Sequence, residues 1–123
     1  MSSTEKFLND FNQAWARGDI PGILEGVTDD IDFRIANKPP ITGRKDFAAM
    51  LEQYAGHCEV RELTINDVII DGDRAAVAGQ MIFAEAEGMP PGCDFCDIYR
   101  LRDGKVARLT AYVMDHEDSN AKE

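Results

Sequence analysis

Basic residues are scarce in this chain: 13 Lys and Arg stand against 23 Asp and Glu, a formal net charge of −10. That balance argues against a nucleic-acid partner, which is held by clustered Lys and Arg, and against an anionic membrane surface. Long apolar runs are missing too. Nothing approaches the ~20 apolar residues of a membrane span, and the opening MSSTEKFLNDF has no signal-peptide core. A cytoplasmic location is expected. Cysteine is limited to Cys58, Cys93 and Cys96, an odd count without a disulfide framework. Cys93 and Cys96 form a C-x-x-C, but three residues apart on a strand they point to opposite faces, and no second ligand pair follows. They read as small thiols in a reducing compartment. His57 and His116, the two histidines, lack metal-ligand spacing. Neither a metal nor a cofactor is expected.

What is present suits one domain over residues 1–123, with about 5–115 folded and 116–123 frayed. Residues 2–17 form an amphipathic helix: Ser2 and Glu5 have capping-box spacing, and Phe7, Leu8, Phe11, Ala14 and Trp15 share a face. Gly18 stops it, and Asp19 caps a short second helix with Pro21 in its first turn. A first strand over 28–36 alternates Ile31, Phe33 and Ile35 with Asp30, Asp32 and Arg34, as an edge strand would. Asn37-Lys38-Pro39-Pro40 forms a loop, and a third helix runs from 43 to about 57 with Phe47, Met50, Leu51 and Tyr54 on one stripe. His57 there reads as a partner for the helix dipole. Strands follow over 59–70, with a possible bulge at Asn66-Asp67, and over 75–87.

This order, helices early and antiparallel strands late, defines an α+β fold. Both faces of the late strands are largely uncharged: Val77, Met81 and Phe83 alternate with Ala76, Ala78, Ile82 and Ala84. Helices cover one face, so the other also needs cover, and a second copy of the sheet supplies it most simply. A homodimer through the outer sheet face is expected.

The final hairpin, CDFCDIYRLRDGKVARLTAYVMD, turns at Arg102-Asp103-Gly104. Asp97 interrupts the apolar run of Phe95, Cys96, Ile98 and Tyr99. A two-residue Asp103-Gly104 loop pairs Asp97 with Thr110, beside Arg108 and Tyr112. A three-residue loop pairs it with Leu109 and places it on the face of Ala111 and Val113. In the first case Asp97 is a polar, ion-paired residue, with Arg34, Arg100 and Arg108 available. In the second it is a lone acid on an apolar wall.

Three stretches, AWARGDIPGILEGVTDDIDFRI, PPITGRKDFAAML and DIYRLRDGKVARLTAYV, resemble the nuclear transport factor 2-like superfamily. It includes ketosteroid isomerase, limonene-epoxide hydrolase and SnoaL-like polyketide cyclases. The resemblance covers roughly residues 5–115. It implies a cystatin-like cone, a curved antiparallel sheet wrapped around three N-terminal helices, with an apolar pocket and dimers through the outer sheet face. Its motifs identify the fold better than the reaction. Asp97 matches the isomerase's protonated, hydrogen-bond-donating Asp. The isomerase's oxyanion-hole Tyr falls at Phe11 and its general base at Ile35; the hydrolase and cyclase Asp falls at Ala111. None of those three side chains can do the chemistry, so true steroid isomerisation is not implied.

Asp97 is therefore the candidate acid, because an apolar pocket raises a carboxyl pKa toward neutrality. Tyr54 and Tyr99 are candidate second donors, although a Tyr on an amphipathic stripe is more often core. Asp115 reads as a solvated strand end or a group at the pocket mouth. Phe11, Trp15, Phe33, Ile35, Met50, Met81 and Ala111 are the expected lining. Two functions stay open. One is a cofactor-free isomerase, lyase, cyclase or hydrolase acting on a small apolar molecule. The other is a non-catalytic module that binds such a ligand or dimerises.

Overall fold

A computed structural model describes residues 2–54 and 59–117, with the backbone alone at Tyr54. The expectations placed on the Tyr54 side chain, on His57 and Cys58, and on the tail beyond 117 lie outside these residues. Helix α1 (Ser3–Arg17) begins where Ser2 Oγ accepts from the Glu5 N–H at 3.0 Å. It ends at Gly18, whose φ of 68° is the left-handed conformation that a glycine adopts without strain. Asp19 caps α2 (Ile20–Glu25) by accepting from the Gly22 N–H, and α3 (Arg44–Tyr54) completes the helical layer. Among the described residues no helix is long and apolar enough to cross a membrane.

Six strands form one sheet in the order β2-β1-β6-β5-β4-β3: β1 (Val27–Ile35), β2 (Ile41–Thr42), β3 (Val60–Asp71), β4 (Arg74–Phe83), β5 (Gly92–Arg102) and β6 (Lys105–Asp115). Sequence reading missed β2, because two paired residues after Pro39-Pro40 leave no periodicity to detect. It also placed β1 at an edge. In fact β1 lies inside the sheet, antiparallel to β2 and parallel to β6. Its wet outer face, with Asp32 bonded to Arg34 and close to Arg108, mimics an edge because the opposite face alone is covered by helices. Strand β4 stops at Phe83, short of residue 87, ahead of the left-handed Gly88 and Pro90-Pro91.

Two of the sheet's register shifts shape the concave face around the site. Between Ile65 and Asp67 the β3–β4 register shifts, leaving Asn66 as an extra residue, and Gly79 sits opposite Ile65. A Cβ at Gly79 would collide with the Thr64 carbonyl and stand 3.1 Å from the Phe95 ring. The two strands thus approach at a distance only glycine permits, as at many bulges.

The second irregularity is in the hairpin. Arg102 pairs with Lys105 across a two-residue turn in which Asp103 (φ 53°) and Gly104 (φ 76°) are both left-handed, the type I′ geometry. Leu101 then pairs with Val106 but Arg100 pairs with Arg108, so Ala107 is an extra residue. Asp97 consequently faces Ala111, not Thr110 or Leu109. The loop is the shorter of the two considered, and the bulge after it restores the apolar face that the longer loop was needed to supply.

The core lies between the helices and this concave face. Leu8, Ile23, Val27, Ile31, Phe47, Val77 and Val106 are all but sealed from solvent. Trp15, Phe33 and Phe47 form an aromatic triangle with ring centroids 5.4–6.0 Å apart.

Candidate functional site

Strand parity places the site. On the concave face one cross-strand row runs Ile35, Ala111, Asp97, Val77 and Val68. The carboxyl therefore has apolar neighbours on both sides in the sheet. Above it α1 lowers Asn12 and Trp15, and the space left between helix and sheet is a cavity of about 160 Å³. Trp15, Phe33, Ile35, Met81 and Ala111 line it together with Asp97. Phe11 and Met50 do not. Phe11 is buried edge-on against Tyr99 and Trp15, and Met50 is buried in the core. Helical periodicity reports that a side chain is buried without telling whether its neighbour is another side chain or a void.

Five lining residues escaped the sequence reading: Asn12, Cys93, Phe95, Leu109 and Val113. Period-two counting from Asp97 reaches Phe95 and Cys93, and the same count from Ala111 reaches Leu109 and Val113. Asn12 had a signal as well, since it falls between Leu8 and Trp15 at helical spacing, a polar residue on an apolar stripe. Cys93 is buried on the cavity side and Cys96 is half-buried on the other face, as strand alternation requires. Val113, 51% exposed, lies at the mouth. Asp115 is exposed at the end of β6, outside the lining.

The polar groups of the site form a chain. Asn12 Nδ2 donates to the Leu8 carbonyl at 2.9 Å and to Tyr99 Oη at 3.1 Å. Tyr99 Oη donates to Asp97 Oδ2 at 3.3 Å, a long contact for two oxygens. Tyr99 is buried and belongs to the core rather than to the cavity wall; it reaches the site through Asp97. The arginines considered as partners are elsewhere. Arg34 and Arg108 are directed to Asp32 on the outer face, and Arg100 is exposed. Asp97 Oδ1 has no hydrogen-bond partner among the described residues and retains access through the cavity.

Burial pushes the Asp97 carboxyl up to about 7, with the Tyr99 hydrogen bond pulling the other way. Burial, followed by the neighbouring Asp97 charge, raises the Tyr99 phenol well above its usual value, so it stays a neutral donor. Trp15 Nε1 is enclosed without a partner among the described residues. Such an arrangement offers an acid, poised near neutrality, on the wall of a chamber that is apolar but for Asn12. Chemically it can donate a hydrogen bond or a proton to a ligand oxygen.

A curved sheet folded over three helices, with an apolar chamber between them, is the architecture of the nuclear transport factor 2-like proteins. Solved structures of that kind superpose well. One from Cytophaga hutchinsonii has a TM-score of 0.72 at 22% identity, covering 91% of this chain and 100% of that one. An LEH-like epoxide hydrolase from M. tuberculosis has a TM-score of 0.76 at 17% identity, over 90% and 82% of the two chains. A candidate ketosteroid isomerase from Kribbella flavida has a TM-score of 0.74 at 18% identity, over 94% and 80%. At these identities the likeness is one of fold. In sequence, no curated protein matches. Residues 8–109 match the SnoaL-like domain, and the chain belongs to that family.

Proposed function

We propose that the protein binds a small, largely apolar molecule in the chamber beneath α1, and that Asp97 acts on it as acid or hydrogen-bond donor without a cofactor. The reaction class is isomerisation, cyclisation, another elimination or addition, or hydrolysis. One observation carries this reading: Asp97 Oδ1 is unpartnered among the described residues and opens onto an apolar cavity. Its size bounds the ligand. An engineered apolar cavity of about 150 Å³ holds benzene, so about 160 Å³ suits a single ring or a short branched chain as the enclosed part.

The donor form of Asp97 is lost on ionisation, so affinity for a ligand oxygen should fall as pH rises through about 7. A library of small cyclic ketones, ethers and epoxides, screened by thermal shift at pH 5.5 and pH 8.5, tests this. Ligands of the site should bind about tenfold more weakly at the higher pH, the value of one modest hydrogen bond. Asp97→Asn should abolish that pH dependence and any turnover. Ligand binding and turnover untouched by Asp97→Asn would end the acid reading. Binding with the expected pH dependence but no turnover of any ligand would favour the non-catalytic module.

The same reading includes a cytoplasmic homodimer. Ile69, Ile98, Tyr112 and Met114 are exposed on the convex face, Met114 to 73%. A two-fold contact there would cover them. Ile98→Lys is expected to shift the sedimenting species from dimer to monomer; a native protein that sediments as a monomer rules the contact out.

A further inference from the structure

We infer that Asn12 is a positioning residue that acts through Tyr99 to fix which oxygen of Asp97 carries the acid proton, and aims that proton into the cavity. The inference rests on the reading of Asp97 as the donor. It starts from a group whose polarity cannot change. The Leu8 carbonyl only accepts, so the Asn12 side-chain atom 2.9 Å from it must be the amide nitrogen. The flipped amide would set two acceptors against each other inside the core. With the nitrogen fixed, its other proton goes to Tyr99 Oη.

A phenol has one proton to give. Because Asn12 donates to Tyr99, Tyr99 directs its proton to Asp97 Oδ2. An oxygen that accepts this bond is the poorer place for the carboxyl's own proton. The neutral acid is therefore protonated on Oδ1, the oxygen that opens to the cavity. Reversing the sequence, with Asp97 donating to Tyr99, would leave the Tyr99 proton without an acceptor, because the Leu8 carbonyl holds the Asn12 nitrogen and not its oxygen toward Tyr99. Direction thus passes from the backbone of α1 to the ligand chamber.

Few other groups can disturb it. On β5 the titratable side chains facing the site are Tyr99 and Cys93; across the sheet, Val77 on β4 and Ala111 on β6 are apolar. From α1 come Asn12 and Trp15, and the cavity lining contains no Lys, Arg or His.

The test is a carboxyl titration followed by NMR with 13C-labelled aspartate, in the native protein, Tyr99→Phe, Asn12→Leu and the double variant. The native Asp97 midpoint should lie near 7. Tyr99→Phe should raise it by about half a pH unit, a modest figure because the bond is long. Asn12→Leu should raise it by less, since a phenol no longer polarised by the amide is a weaker donor. In the Tyr99→Phe background Asn12→Leu should add nothing, because its effect travels through the hydroxyl. An amide correlation spectrum reports the fold of each variant, and Asn12→Ala replaces Asn12→Leu if that chain does not fold. The inference is overturned if Asn12 substitution leaves the midpoint unmoved, or moves it equally with and without the Tyr99 hydroxyl. A native midpoint near 4 would instead overturn the acid reading and the inference with it.

Discussion

Asp97→Asn is expected to gain about 2 kcal/mol of stability over the native protein between pH 5 and pH 8. The sign follows from the raised carboxyl. Its folded value is about 7 and its ordinary value 3.8. Between those limits the native state holds a proton that the unfolded chain has lost. The contribution of Asp97 is therefore fully present below about pH 4, falls as pH climbs, and is spent above about pH 7. A full shift of this size would give more than 2 kcal/mol over that window; the smaller figure allows for the solvent that Asp97 meets through the cavity. Asn keeps an acceptor for Tyr99 and never ionises, so the variant lacks the decline. Urea unfolding of both proteins at pH 5 and pH 8 measures the difference directly. Equal differences at the two pH values would show that Asp97 is not the titrating group. A residue whose removal stabilises the fold at working pH is one whose presence needs another explanation, and donation to a ligand supplies it.

The second large effect is structural. Gly79→Ala should cost more than about 3 kcal/mol, the upper range for forcing atoms into a packed site. The new methyl meets the Thr64 carbonyl, a backbone atom held by the β3–β4 ladder, and cannot be accommodated by a rotamer change. Gly104→Ala is the control. There a Cβ meets nothing within 4 Å and only the positive φ is strained, so about 1 kcal/mol is expected. Thermal unfolding of the two variants should separate them by about 10 °C. Near-equal melting temperatures would mean that β3 can retreat from β4 without loss.

Much of this architecture was legible because its signals are local. Ser2, Gly18 and Asp19 mark helix ends by their own chemistry, Asp103-Gly104 marks a tight turn, and Asn66 breaks an alternation that the eye can follow. Asp97 stood out as one carboxylate in an apolar run. What escaped was non-local or chemically silent. Nothing in β1 or β6 announces that they pair in parallel, since both alternate as antiparallel strands do. Ala107 gives no sign of being a bulge, because a small apolar residue suits either face of a strand. Within its own element Asn12 is marked only as a polar residue on an apolar stripe, and Tyr99 only as a candidate donor. They become a chain only when α1 is laid across β5, a contact between residues 87 positions apart.

Ala107 has a consequence beyond the hairpin. Side chains in a strand obey parity, and this one surplus residue sets the parity of all of β6 beyond it. Paired as an ordinary strand residue, Ala107 would shift every later pair by one and exchange the two columns: Thr110, Tyr112 and Met114 would turn into the chamber while Leu109, Ala111 and Val113 turned out. No point substitution has that reach. The character of the chamber is thus encoded partly by a count: the bulge takes up one residue between the turn and the wall, and so keeps Ala111 opposite Asp97.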